Sequence, residues 1–367
     1  MIRGDLMKKI LLICPCLFIA TCSFFYSEKL GPESYRNLAD FQENCPDKIY
    51  PYRKGLKCAS GAYDNFTVTR LTDFGQRAEW SPDGRKIAFL DKDDGNVFEI
   101  DVRTKKVQCI TCKYKHNGFY RVHYLNNGDY LLLGRKGKVE SRFASRYFFT
   151  GFYFMPADAS SPPKWIGGLH YEGVAVSKNS RRIAYSRTWF DRPFIFPSVI
   201  YVADVSPEGE IINRKAVYYS MNLIEPQDFL PDNKGLTFSR YTPNYDALTL
   251  DFETGRVIDQ VKSPSTEEME GIFPDGEFSL IESDRHSGLI GEMDIDIYML
   301  KLDGTGKDVR RLTHFSDKPD QKANNPVVSP EGCRIAFSKS VRAKDWKSQS
   351  HGLGAGIYVI EFYACKN

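Results

Sequence analysis

From Ala62 to Phe362 the chain alternates short apolar or every-other-residue runs with clusters of Gly, Pro, Asn and Asp. That pattern predicts strands joined by tight turns, with no sustained helical period. The clearest unit is RLTDFGQRAEWSPDGRKIAFLDKDDGNVFEIDVRTKKVQCIT, Arg70 to Thr111. It predicts a strand ending at Trp80, an SPDG turn, the strand KIAFL, a DDGN turn, the strand VFEIDV and a last strand KVQCIT. Pro82 pre-sets its φ, Asp83 accepts nearby amide bonds and Gly84 tolerates a positive φ, so the turn residues stand where a tight turn needs them.

The unit recurs as HYLNNGDYLLLG (His123 to Gly134), VSKNSRRIAYS (Val176 to Ser186), DFLPDNKGLTFSR (Asp228 to Arg240), IFPDGEFSLIE (Ile272 to Glu282) and VSPEGCRIAFS (Val328 to Ser338). Successive turns lie roughly 40 to 55 residues apart, the interval of a propeller blade. Six four-strand units predict an all-β, six-bladed β-propeller. The sixth copy has its third strand at GIYVIEF and too little chain after it for a fourth. NFTVTRLT, Asn65 to Thr72, matches a fourth strand but precedes the first copy, so it is expected to complete the last blade and leave no open sheet edge.

At WSPDGRKIAF and its counterparts, across roughly Tyr63 to Phe362, the chain resembles the PD40 repeats of the TolB-like six-bladed propeller family of exported bacterial proteins. The resemblance implies a fold more than a chemistry, because such repeats occur in binding proteins, beside serine peptidase domains and in some lyases. The sequence holds no GxSxG elbow, HExxH or P-loop, so those activities are not expected. GLGAG, Gly352 to Gly356, precedes a strand without the strand, loop and helix order of a dinucleotide site and reads as a hairpin connection.

Composition adds location. Met7 to Lys9 is cationic and Ile10 to Ala20 apolar, as in an export signal spanning residues 1–21. LFIATC resembles a bacterial lipobox, with Cys22 as the lipidated residue tethering the protein to a membrane, in the periplasm or at the cell surface. Residues 22–61 read as a tether and irregular segment, and 62–367 as the propeller. With 50 basic and 47 acidic residues, the chain lacks the basic excess of a nucleic-acid binder. Six cysteines, Cys45, Cys58, Cys109, Cys112, Cys333 and Cys365, are disulfide candidates. Cys45 with Cys58 and Cys333 with Cys365 are plausible pairs by position, and Cys109 and Cys112 fit a structural disulfide better than a metal or redox site.

In a propeller the first strand of each blade lines the channel. Counting four residues back from the Trp80 position gives Gln76, Tyr120, Glu172, Glu225, Glu268 and Asn324, and one residue back gives Glu79, His123 and Asp228. These residues except Glu79, together with Arg77, are the candidate ligand-binding set. Three clustered glutamates need a compensating cation, so Arg77, Arg121, calcium or an amine-bearing ligand is expected beside them. The expected ligand is a small polar molecule, a glycan or a cell-envelope protein. The alternative is a carbohydrate-active hydrolase or lyase using Glu172, Glu225 or Glu268 with His286. Solvated channel lining with no ligand is the remaining reading.

Overall fold

The computed structural model describes residues 50–51, 57–58, 61–62, 65–139, 142–190, 195–241, 245–287, 294–341 and 353–363. Three two-residue strands, β1 (Tyr50–Pro51), β2 (Lys57–Cys58) and β3 (Gly61–Ala62), precede β4 (Asn65–Arg70). Blade 1 comprises β5 (Gln76–Trp80), β6 (Lys86–Leu90), β7 (Val97–Asp101) and β8 (Val107–Cys109). Blade 2 comprises β9 (Phe119–Tyr124), β10 (Tyr130–Arg135), β11 (Thr150–Met155) and β12 (Lys164–Gly167). Blade 3 holds β13 (Tyr171–Val176), β14 (Arg182–Thr188), β15 (Ser198–Val205) and β16 (Ile211–Ser220). Blade 4 holds β17 (Ile224–Phe229), β18 (Gly235–Arg240), β19 (Asp246–Asp251) and β20 (Val257–Asp259). Blade 5 holds β21 (Glu267–Ile272), β22 (Phe278–Ser283), β23 (Asp296–Lys301) and β24 (Val309–Arg311). Blade 6 is β25 (Gln321–Val328), β26 (Arg334–Val341) and β27 (Leu353–Phe362), with β4 as its outer strand and β1 beyond it.

Every blade is an antiparallel meander, as six short repeated units demand. Closure agrees with the expectation: β4 pairs with β27 from Arg70 opposite Tyr358 to Phe66 opposite Phe362. The repeated turn has a repeated bond. Gly84 N donates to Ser81 O at 2.9 Å, Gly276 N to Phe273 O at 2.9 Å and Gly332 N to Ser329 O at 2.8 Å. The Ser81 hydroxyl accepts from Lys86 N at 2.9 Å, as Ser329 accepts from Arg334 N at 3.0 Å, which fixes the entry of the second strand. Gly84, at φ 66°, supplies the left-handed backbone that closes the turn.

The apolar core lies between blades. Trp80, Ile87 and Phe89 of blade 1 pack with Ala336, Ile357 and Val359 of blade 6, and Trp80 Nε1 donates across that seam to Val327 O at 3.2 Å. First strands lie against one another between blades 1 and 2, 3 and 4, 4 and 5, 5 and 6, and 6 and 1, which makes them the channel lining. All six carry a bulge: in five, register slips fall between Gln76 and Glu79, Tyr171 and Val174, Pro226 and Asp228, Met269 and Ile272, and Asn324 and Val327. In blade 2 Tyr120 is the extra residue, between Phe119 opposite Gly134 and Arg121 opposite Leu133. Two elements among the described residues depart from the all-strand reading: a 3-10 turn at Phe315–Asp317, between β24 and β25, and a helix α1 (Arg142–Phe148) in the connection from β10 to β11. It is set over the channel by the buried Ala144, Ser145 and Arg146.

Candidate functional site at the two ends of the channel

Each lining strand runs from the connection that enters its blade to an SPDG-type turn. Its early residues therefore gather at one mouth, the entry end, and its late residues at the other, the turn end.

At the entry end the structure brings together two of the three predicted glutamates. Glu225 is 1% exposed and Glu268 lies one blade on. The Tyr241 hydroxyl, just past β18, sits 2.5 Å from Glu225 Oε2 and 2.6 Å from Glu268 Oε1. A phenol has one hydrogen, so two such contacts require a second proton, held on a carboxyl that donates to the phenol oxygen. Glu268 is the group fitted to hold it: burial, then Glu282 and Glu225, push it up to about 8. Glu270, two residues along the same strand, is raised well above the usual carboxylate range by burial and then by Glu282 and Glu268. Its Oε1 has no hydrogen-bond partner among the described residues. Glu282, opposite Glu268 in the sheet, accepts from the backbone of Asn325 at 2.6 Å.

Arginines answer these acids. Arg121 Nη2 donates to Glu225 Oε1 at 3.4 Å, and its buried Nε has no partner among the described residues. Arg77 is 5% exposed at φ 57°, the bulge residue of β5. Burial, then Arg121 and Arg146, lower it to about 9, while Asp93 stands 3.9 Å from its Nε and accepts from Gln76 Nε2 at 2.5 Å. An aromatic run leads outward from the acids, with Tyr171 edge-on to Tyr241 at 6.4 Å, Tyr147 stacked on Tyr171 at 5.2 Å and Phe190 edge-on to Tyr147 at 6.2 Å. The entry end is thus polarised, with acids from blades 4 and 5 and guanidiniums from blades 1 and 2 and α1.

The turn end carries a second, smaller cluster drawn from four blades. Glu79 Oε2 meets His123 Nδ1 at 2.8 Å, and Glu79 Oε1 accepts from Lys178 at 3.3 Å. Burial opposes ionisation of Glu79, but Lys178 and the His123 bond outweigh it and hold the carboxyl at about 2. Half of the Lys178 side chain is in solvent, which screens its share. Asp228 accepts from Phe229 N at 2.9 Å and Ile272 N at 3.3 Å, and burial raises it to about 6.

The remaining predicted residues divide. Asn324 turns to Ser340 at 3.0 Å in its own blade, and the Tyr120 hydroxyl bonds Ser145 of α1. Glu172 lies in β13, but its side chain falls outside the described residues. His286 does not join the glutamates. Its Nδ1 meets the Tyr298 hydroxyl at 2.9 Å and its Nε2 the Ser316 hydroxyl at 2.8 Å, because the end of β22 carries it past the third strand and not inward. Arg285 likewise is spent on Glu267 at 2.8 Å. Sequence reasoning passed over Tyr241, Asp93, Arg146 and Lys178, which reach the channel from connections. Glu270 was legible as the same-face neighbour of Glu268.

Among the described residues one group has metal-ligand spacing, His286, Asp296 and Asp317, with ligand atoms within 4.8 Å of one another. Arg311 already donates to Asp296 at 2.6 Å and Asp317 at 2.5 Å, so this is a cation-filled network and a metal would have to expel a guanidinium. Cys109 and Cys112 form a disulfide with Cα atoms 5.7 Å apart, and Cys333 is disulfide-bonded. Cys22, Cys45, Cys365 and the Cys58 side chain lie outside the described residues, as does the loop from 342 to 352. Among the described residues no helix is long and apolar enough to cross a membrane.

No protein-family profile matches the sequence, and no curated protein matches it. Solved structures do. A gluconolactonase of Xanthomonas campestris is 12% identical, with 92% of this chain and 99% of that one covered at a TM-score of 0.56. Regucalcin of Agrobacterium tumefaciens, a calcium-binding protein, is 11% identical over 80% of this chain and 93% of its own, at 0.53. A TolB structure from Agrobacterium tumefaciens is 15% identical over 72% of this chain and 96% of that chain, at 0.49. Identities this low speak to fold alone. With six meander blades, an SPDG-type turn repeated between first and second strands, and closure by a strand from the N-terminal side, the chain is a six-bladed β-propeller.

Proposed function

We propose that the protein is an exported, lipid-anchored binding module whose channel entry recognises a small polar ligand, a glycan or a polar segment of a cell-envelope protein. The observation that carries this reading is the Glu225–Tyr241–Glu268 bridge set against Arg121. It is a rigid surface of donors and acceptors on strands, flanked by aromatic faces. Such a surface suits hydroxyl-rich or zwitterionic groups, which supply both partners at once. The export signal and Cys22 lipidation rest on the sequence pattern of residues 1–22.

The hydrolase or lyase reading has less support. Glu225 and Glu268 share one phenol and His286 is engaged elsewhere, so these three residues are not set apart as acid and base across a cleft. The deciding experiment is a screen of the soluble form lacking residues 1–22 against a glycan array and against calcium, beside Glu268→Gln and Arg121→Ala. A ligand held by the parent and weakened about tenfold or more by both substitutions supports the reading. Unchanged binding in both variants removes these residues from any site.

A further inference from the structure

The outer strands of the blades are unequal. β8, β12, β20 and β24 contain 3, 4, 3 and 3 residues, and β4 is overlaid by β1. β16 contains 10 residues and, among the described residues, has β15 as its sole sheet neighbour. A long outer strand presents a row of amides and carbonyls without sheet partners, which natural proteins usually avoid by keeping such strands short. Three-residue strands offer too little ladder to hold another chain, whereas β16 offers the longest outer edge among the described blades.

Its side chains narrow the partner. Ile211 to Met221 carries Arg214 and Lys215 and no acid, and both cations are exposed. Ile212, Tyr219 and Met221 are 40%, 71% and 57% exposed. Alongside, Arg187 lies over the Trp189 ring at 5.4 Å, and Phe196 N donates to Met221 O at 3.1 Å, so the apolar and cationic groups continue from the edge onto the neighbouring connection. A second copy is a poor occupant, because antiparallel pairing of two β16 edges about their centre would set Arg214 of each copy diagonally beside Lys215 of the other, like charge near like. The left-handed Asn213, at φ 54°, and the slips in the pairing with β15 divide the edge into short stretches, so any added strand pairs in segments and depends on side-chain contacts as well as on the ladder.

We propose that β16 is a docking edge that accepts an extended acidic peptide segment of a partner protein as a fifth strand of blade 3, read by backbone pairing, by Arg214 and Lys215, and by apolar contact with Tyr219 and Met221. This site is separate from the channel, and its test is independent of the channel reading. Three labelled decapeptides serve as probes in fluorescence anisotropy with the whole soluble protein: one alternating glutamate with valine and threonine, its lysine-for-glutamate counterpart, and the acidic peptide with alternate backbone amides N-methylated. The expected result is binding of the first alone, weakened about tenfold or more by Arg214→Glu with Lys215→Glu and unchanged by Glu268→Gln. Melting temperature of the double variant reports its folding, and amide exchange over residues 211–221 is expected to slow when the acidic peptide is added. Equal binding of the N-methylated peptide, indifference to charge reversal, or protection of these amides by concentration-dependent dimerisation would each overturn the proposal.

Discussion

At the scale of single residues, the proton shared around Tyr241 makes a sign-definite prediction. Glu268 is raised from an ordinary 4.5 to about 8 in the folded protein. Below the unfolded value it is protonated in both states and its contribution to stability is fully present. Between the two values the folded state keeps a proton that the unfolded chain has lost, so stability falls as pH rises, by up to ~1.4 kcal/mol per pH unit, and levels off above the folded value. Glu268→Gln removes this dependence. Thermal melts at pH 5 and pH 8.5 are expected to show the variant gaining on the parent at the higher pH, and a pH-independent difference would sink the assignment. Tyr241→Phe acts the other way. It leaves two carboxyl groups without their shared hydroxyl and is expected to cost ~1–3 kcal/mol in denaturant unfolding, with a loss of ligand binding that Glu268→Gln accompanies. A Tyr241→Phe protein as stable as the parent would show that the bridge carries no weight.

At the scale of elements, the bulged lining strands explain both the site and the limits of reading it from sequence. The SPDG turns, the strand sets and the closing strand were legible, because turn chemistry and period-two alternation are local signals. Channel register was legible only in part. A bulge adds a residue and turns the side chains beyond it to the other face, and the slips fall at different distances from the turn: at Arg77 in β5, around Gln227 in β17 and around Glu270 in β21. A fixed count back from Trp80 therefore finds Glu225 and Glu268 but also returns Asn324, which faces Ser340. Tyr241 and Arg146 carry no periodic mark at all, since they sit beyond a strand end and on a short helix. The β13 bulge has a testable consequence at Gly173, where an added Cβ would lie 2.0 Å from Glu225 Cγ. Gly173→Ala must displace Glu225 from Arg121 and Tyr241, and is expected to cost ~1–3 kcal/mol of stability together with channel binding. If calorimetry and ligand titration both match the parent, the close approach of blades 3 and 4 does not position Glu225.

At the scale of the whole molecule, the strand that closes the ring should matter more than its length suggests. A propeller holds its channel residues only while every blade is clamped between two others, and blade 6 is the one whose strands come from both sides of the sequence. β4 lies between β27 and β1, with Thr69 opposite Val359. Thr69 is exposed, so Thr69→Pro removes a backbone donor and fixes φ with little change in buried side-chain packing. The matched comparison is Ile258→Pro in β20, which pairs with β19 at Thr249 and forms the free outer strand of blade 4. Proline in either strand breaks local pairing, but only the first loosens the joint between the two sides of the chain. Thr69→Pro is expected to cost roughly 3 kcal/mol and, for a domain of this size, to lower the melting temperature by on the order of 5–10 °C, with a broadened or split transition as blade 6 opens first. Ile258→Pro is expected to cost about a third of that and to keep one sharp transition. Equal losses would mean that β4 is one outer strand among six and not the closure of the ring.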